Sequence, residues 1–305
     1  MSDSNGTDGT LRFYETFPFP GMRPMDQDGL ILLRHLSATV KARSGTSMGA
    51  GLRLLDAGCG TGNTSVALAR LYAGAEVVAI DQSGPSLERA RGLAEHEGLT
   101  NIHVVRHDLM TSLPRGESYD IILCLGVLHH LADMKRGLSN LKAVLKNDGH
   151  LYLWIYGKHG RYLHSLNMRC LQMLTGSADT PEETVQVAEE FVRKTDDGSP
   201  LKLLLGRTPL KETQWQTFTD PVWIADQFLN PHEVLIDMEE LLEMLDEVGL
   251  ELREVLGGNV DMARLLNSPH LYKRFQMLDE RRKLIAKDLL LKPERYFVHL
   301  TIPEE

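Results

Sequence analysis

Cysteine is scarce. The 305-residue chain has three, Cys59, Cys124 and Cys170, an odd number at wide spacing. That excludes a disulfide-stapled fold and leaves no CxxC pair for zinc and no close set for an iron–sulfur cluster. Reduced thiols and a cytoplasmic location are the expectation. No run of about 18 apolar residues occurs, so no membrane-spanning helix is expected. Positive charge is also in short supply, with 33 Lys and Arg against 42 Asp and Glu, a net charge of −9. A duplex-binding protein carries a basic surplus or stripe, so nucleic acid is not expected as a partner. Repeats and low-complexity tracts are absent. The opening MSDSNGTDGT has no apolar run behind a basic start, so a frayed terminus is expected rather than a signal peptide.

What is present is an ordinary globular composition, 42% hydrophobic and 25% charged. A minimal α/β nucleotide-binding domain needs roughly 150 to 200 residues, which leaves about 100 over. The segment FYETFPFPG after the terminus interleaves aromatics with prolines and predicts an extended, stiff stretch. A helix is predicted over 26–43. From residue 52 a regular alternation begins. Strands are predicted at 52–57, 76–81, 102–106, 119–125 and 150–156, with helices at 64–72, 84–97 and 135–146. Asn147-Asp148-Gly149 reads as the stop of the last of these helices. Apolar strands alternating with helices imply a mostly parallel sheet covered on both faces. Residues 158–236 read as helical and irregular. A capped helix follows at 237–248, then a strand at 250–255, one amphipathic helix at 271–291 and a last strand at 295–302.

The strongest motif is LLDAGCGTGN, residues 54–63, with glycines at the first, third and fifth positions of a GxGxG. Glycine is needed where the backbone takes positive φ or touches a ligand with no Cβ in the way. Asp81 ends the next strand, 23 residues beyond Gly58, where a doubly wound fold places its ribose-binding carboxylate. One carboxylate can accept from two vicinal hydroxyls at once. Asp108 ends the third strand, within reach of an adenine amine. Each acid taken alone reads equally as a turn or capping residue.

LLDAGCGTGNTS, then VVAIDQS, RHDL and YDIILCLGVLHHL, resembles the class I S-adenosylmethionine-dependent methyltransferases, small-molecule branch (methyltransferase type 11/12-like). The resemblance covers roughly residues 52–156 well and the C-terminal elements more weakly. It implies a Rossmann-like seven-stranded sheet, α/β, with the last strand antiparallel. It implies S-adenosyl-L-methionine as cofactor, with Asp56, Gly58, Cys59, Gly60 and Gly62 around its methionine end. Asp81 would hold the ribose and Gln82 would lie beside it against adenine. Asp108 and Leu109 would border the adenine edge, and Cys124 and Leu125 would face the sulfonium through their backbone. Family members often close the site with an N-terminal segment, which would bring Tyr14 and Arg23 to the cofactor.

Methyl transfer is an in-line displacement in which alignment carries most of the catalysis. His129 and His130, after the fourth strand, are the candidates for a base; a structural role at a helix start is the alternative for each. As a metal site the pair lacks a third ligand, so no metal is expected. On these grounds four regions are expected: an N-terminal arm and helix (1–45), a cofactor-binding core (46–156), a helical lid insertion (157–236), and C-terminal elements completing the sheet (237–305) with a helical insertion at 257–293. Both insertions follow strand C-termini and are expected to roof the methyl group. Tyr156, Arg161, Trp215 and Trp223 are the lid candidates for substrate contact, Arg161 as a bidentate clamp on an acidic substrate. A homodimer through the lid is the competing use of that surface. Residues 272–295 carry eight cations against four acids, a patch for an anionic partner or simply a solvated face. The acceptor expected is a small or medium-sized metabolite. The alternatives are a protein or tRNA methyltransferase, and a non-catalytic cofactor-binding subunit of another enzyme.

Overall fold

The computed structural model describes residues 4–19, 27–113, 117–176, 180–194 and 221–304. Seven strands form one sheet in the order β3-β2-β1-β4-β5-β7-β6. They are β1 (Arg53–Ala57), β2 (Glu76–Asp81), β3 (Ile102–Arg106), β4 (Tyr119–Leu125), β5 (Leu145–Tyr156), β6 (Glu251–Val255) and β7 (Arg295–Thr301). β1 to β5 pair in parallel, and β7 runs antiparallel to both β5 and β6. The predicted last strand thus sits between β5 and β6, which completes the expected seven-stranded sheet.

The central strands are mostly apolar because side chains alternate between two covered faces. Leu55, Ile122 and Leu153 enter one core, while Leu54, Ile121 and Tyr152 enter the other. Helices α3 (Asn63–Leu71), α4 (Gly84–His96) and α5 (Met134–Lys142) are the crossovers. α5 ends earlier than expected. Val144 and Leu145 are 5% and 6% exposed and join the core. Leu145 already pairs with Tyr119, and Asn147-Asp148-Gly149 lies in an irregularity of β5 rather than stopping a helix.

The N-terminus departs most from expectation. α1 (Ser4–Thr16) is a helix that includes Phe13 and Tyr14, and Thr10 on it is 3% exposed. Pro18 ends this helix rather than preventing it, since only the residue before a proline is steered away from helical backbone. α2 (Gln27–Ser44) then packs on one face of the sheet through Leu32, Leu36 and Val40. His35 Nδ1 lies 2.9 Å from the Tyr152 hydroxyl and His35 Nε2 lies 3.2 Å from Glu254. His150 Nδ1 and His299 Nε2 are 2.8 Å apart, and the His299 ring stacks on Tyr152. Burial, then the neighbouring His150 and His35, pull His299 down to about 3. Unfolded histidine titrates near ~6.5, so the unfolded chain takes up this proton first. Stability should be full above that pH and fall as pH drops toward 3. His299→Phe should flatten the slope of urea-unfolding free energy between pH 6 and 4 by about 1.4 kcal/mol per pH unit. An unchanged slope would mean that His299 does not titrate on unfolding.

After β5 come α6 (Lys158–Thr175), α7 (Pro181–Lys194), α8 (Pro221–Ile224) and a π-helical turn (Ala225–Leu229). They enclose a small core of their own, with Leu171, Ala188, Val192 and Phe228. α9 (Met238–Val248) starts at the expected Asp237, whose capping box with Glu240 is fully formed. The single helix expected at 271–291 is two. They are α11 (Pro269–Gln276), which follows the short α10 (Met262–Leu266), and α12 (Glu280–Leu291). Asp279 accepts from the Arg282 backbone and opens a new helix instead of continuing the old one. Phe275, Leu278 and Ile285 are half-buried, but Leu289, expected on the same side, is 53% exposed.

Candidate active site

The glycine turn lies between β1 and α3. Gly58, Gly60 and Gly62 have φ of 79°, 53° and 84°. The Gly58 and Cys59 backbone N–H groups both donate to the Ile80 carbonyl, at 2.8 and 2.9 Å, folding the turn onto the end of β2. Asp81 then ties the turn from β2. Its Oδ2 accepts from Gly60 N–H at 2.9 Å and its Oδ1 from Ser83 N–H at 2.8 Å.

A cavity of about 700 Å³ opens at this strand edge. Asp56, Gly58, Cys59 and Gly60 line it from β1 and the turn. Asp81 and Gln82 come from β2, Asp108 and Leu109 from beyond β3, and Leu125 from the end of β4. Gly62 does not line it. A Cβ there would fall 2.6 Å from the Ala90 Cβ, so this glycine serves the close packing of α3 on α4. Gly62→Ala should destabilise the fold by about 1–3 kcal/mol through strain and overpacking. Chemical denaturation measures that, and ligand affinity of the folded fraction should be unchanged; selective loss of affinity would put Gly62 back at the ligand.

α1 crosses the turn. The Phe19 carbonyl accepts from Thr61 N–H at 3.2 Å, and the Tyr14 carbonyl accepts from Ser83 Oγ at 3.2 Å. Tyr14 lines the cavity, as do Tyr156 and Trp223 from the opposite side. Trp215 and Arg23 lie outside the described residues. None of residues 257–293 lines the cavity, which corrects the expectation of a double roof. β6 is the edge strand, so the chain leaves it far from the β1–β4 centre. Much of the basic charge of 272–295 is also taken up locally, Arg281 on Asp246 and Lys283 on Glu280, both at 2.6 Å.

The two histidines part company. His129 is fully buried, does not line the cavity and has no partner for either ring nitrogen. Burial holds it neutral, packed against Tyr156 with ring centroids 4.2 Å apart. Lacking access to the cavity, it cannot exchange a proton with a ligand there. His130 does line the cavity, with Nδ1 2.8 Å from the His232 carbonyl. Arg161 lines it too, but its bidentate partner is already present. Its Nε and Nη2 donate to Glu233 at 2.8 and 2.9 Å, and its guanidinium lies 3.4 Å over the Tyr156 ring. It is a strut of the lid, not a clamp open to an acidic substrate.

Residues not anticipated complete the lid: Asp226 and Gln227 in the π-helical turn, Asn230 and Glu233 just beyond. π-turns often mark functional sites, but nothing in the local pattern of PVWIADQFLNPHE announces one. Glu294 and Arg295 reach the cavity because Gly157 and Gly160 let α6 pack directly on the backbone before β7, where a Cβ would meet Pro293 or Lys292 carbonyls at 2.3 Å.

The carboxylates test which ligand fits. Asp56 is 3% exposed and burial pushes it up to about 6, while Ser65 Oγ donates to it at 2.5 Å. Burial also raises Asp81 against the pull of its backbone N–H donors. No lysine or arginine among the described residues pairs with either. A buried and a half-buried carboxylate without a cation, beside a turn stripped of side chains, suit a ligand that brings its own positive charge and vicinal hydroxyls. S-adenosylmethionine has both. Among the described residues no group of three His, Cys, Asp or Glu is placed to hold a metal ion.

Sheet order, glycine turn and acidic strand ends agree with the resemblance to class I S-adenosylmethionine-dependent methyltransferases. Residues 49–195, just under half of the chain, match the sequence profile of a methyltransferase domain. It is 34% identical over 119 residues to the tRNA 5-carboxymethoxyuridine methyltransferase of Escherichia coli, covering 38% of this chain and 44% of that protein. It is 41% identical over 101 residues to a ubiquinone biosynthesis O-methyltransferase of Ruegeria, covering 33% of this chain and 39% of that protein. The chain thus spans less than half the length of either relative. The structure of PKMT2 from Rickettsia typhi in complex with AdoHcy shares the fold, with a TM-score of 0.64 at 13% identity over 82% of this chain and 48% of that one.

Proposed function

We propose that the protein transfers a methyl group from S-adenosyl-L-methionine to a small or medium-sized metabolite, leaving S-adenosylhomocysteine. The observation that carries this reading is that α1 and the lid after β5 both line the cavity and are joined there by the Tyr14–Asp226 hydrogen bond. An acceptor must fit beneath both, within a volume typical of small-molecule sites.

The cofactor supplies an activated methyl group on a good leaving group. The chain's residues bind and orient it. Asp56, with Gly58, Cys59 and Gly60, faces the methionine end. Asp81 accepts the ribose hydroxyls, and Gln82, Asp108 and Leu109 border the adenine. Leu125 backs the methyl-bearing sulfur through its backbone. α1 and the lid exclude water, which strengthens every polar contact inside. Of the two histidines, only His130 is placed to exchange a proton with an acceptor. Residues 157–236 act as the lid, and the exposed apolar residues Tyr162, Met173 and Leu174 on α6 are where a homodimer through that lid would form. No helix of the described residues is long and apolar enough to cross a membrane. The three unpaired cysteines support a cytoplasmic location.

The E. coli relative acts on tRNA, so a macromolecular acceptor is the second reading. Incubation of the protein with tritiated S-adenosylmethionine and cell-extract fractions separates the two. Label in the acid-soluble metabolite fraction is expected. Label precipitating with RNA or protein would replace the proposal with the second reading. Cofactor binding without any transfer would make the chain a non-catalytic subunit.

A further inference from the structure

The lid brings one carboxylate into the cavity that has been given no role. Asp226 is 6% exposed and sits in the π-helical turn. Its Oδ1 accepts from the Tyr14 hydroxyl at 2.9 Å and its Oδ2 from Gln227 Nε2 at 2.8 Å. Asn230 Nδ2 donates to the Tyr14 oxygen at 3.0 Å, which commits the Tyr14 proton to Asp226. The carboxylate is therefore held in one orientation by donors from both walls of the cavity. It has no cation of its own, because the nearby Arg161 is turned to Glu233. Burial raises its carboxyl above the ordinary range. A buried acid without an ion-pair partner, lining a ligand cavity, is a functional candidate.

The rest of the wall says what it would meet. Trp154, Trp223 and Phe297 give the cavity flat apolar surfaces. Two of the aromatic faces at the cavity, those of Tyr156 and Trp154, already carry a cation of the protein. Arg161 lies on Tyr156 at 3.4 Å with His129 also packed against that ring, and Arg295 lies 5.9 Å from the Trp154 centroid. A flat ring can stack on such walls and offer a hydroxyl to the Asp226 carboxylate. A phenolic hydroxyl is a poor nucleophile until its proton, with a pKa near ~10, is removed.

Resting on the methyl-transfer reading above, we propose that Asp226 is the catalytic base and that the acceptor is a phenol: Asp226 accepts the hydrogen bond of its hydroxyl, with Tyr14 as the positioning residue. The phenolic oxygen gains the methyl group from an oxygen lone pair. The electrons of the broken carbon–sulfur bond remain on sulfur. The hydroxyl proton passes to the Asp226 carboxylate and then to solvent. Cation, neutral phenol and carboxylate become thioether, methyl ether and neutral carboxylic acid, so charge and atoms balance.

The full chain saturated with S-adenosylhomocysteine can be titrated with 2-naphthol, its ether 2-methoxynaphthalene and 2-(aminomethyl)naphthalene, with binding followed by calorimetry. The three share a ring and differ in the group offered to Asp226. The naphthol should bind at least ~10-fold tighter than the ether, the value of one hydrogen bond to a charged acceptor. Asp226→Asn should bring the two within ~2-fold, Asp226→Glu should restore part of the preference, and Tyr14→Phe should reduce it by a smaller factor than Asp226→Asn. S-adenosylhomocysteine affinity should stay within ~3-fold in both Asp226 variants, which shows them folded, and a cooperative thermal melt shows it for Tyr14→Phe. Equal binding of naphthol and ether, survival of the preference in Asp226→Asn, or tighter binding of the amine would each overturn the proposal. Failure of the unaltered protein to bind S-adenosylhomocysteine would instead bring down the methyl-transfer reading, and this one with it.

Discussion

Asp81→Ala should weaken S-adenosylhomocysteine binding by ~100-fold or more. A carboxylate accepting two ribose hydroxyls loses two charge-assisted hydrogen bonds, each worth about 1.5–3 kcal/mol. The same substitution frees the Gly60 and Ser83 N–H groups that now donate to the two Asp81 oxygens at 2.9 and 2.8 Å. Some stability should therefore go too, about 1–3 kcal/mol. Asparagine should not rescue it. Each carboxylate oxygen faces a backbone donor, and either orientation of the amide points an NH₂ at one of them. Calorimetry on the folded variant reads the first effect and thermal unfolding the second. An unchanged dissociation constant would reduce Asp81 to a turn-capping residue, the alternative its sequence position always allowed.

The second large effect concerns folding. Arg161 and Glu233 have side chains only 6% and 5% exposed and are joined by two hydrogen bonds. Arg161→Ala would strand a buried carboxylate and remove the guanidinium from the Tyr156 ring. A loss of about 3–5 kcal/mol is expected, since breaking a buried pair leaves an uncompensated charge. The double variant Arg161→Met, Glu233→Leu should recover much of it, because a buried ion pair gains little over apolar side chains of similar size. Urea unfolding of the two proteins distinguishes a structural pair from a substrate clamp. If Arg161→Ala unfolds like the parent yet fails to bind ligand, the strut assignment is wrong.

Much of the fold was readable in one dimension. β2, β3 and β4 begin and end where the residue pattern put them, because strands covered on both faces are apolar runs bounded by turns. The capping box at Asp237 and Glu240 is equally local, two side chains and two N–H groups within one turn. The failures have a common cause. Phe13 and Tyr14 lie in a helix that is tied through Tyr14 to Ser83 after β2 and to Asp226 in the lid, partners far along the chain. Val144 and Leu145 leave their helix because β4 offers them a strand partner. In each case a distant contact outweighed a local preference of about 1 kcal/mol or less.

The site divides in the same way. Asp56, the glycine turn, Asp81 and Asp108 were visible because a parallel sheet places successive strand ends along one edge, and chain order alone tells which residues those are. Even there, Gly58 and Gly62 look identical in sequence, and only their neighbours show that one lines the cavity while the other lets Ala90 approach. The lid had no such register. Tyr14 meets Asp226 across 212 residues, and Arg161 meets Glu233 across 72. No period or motif encodes a pairing of that span; it exists only once the sheet has brought α1 and the lid to the same edge. The sequence by itself determined which strand edge gathers the glycine turn and the acids. The tertiary structure decided which side chains face the acceptor, because buried charges choose their partners by position in space.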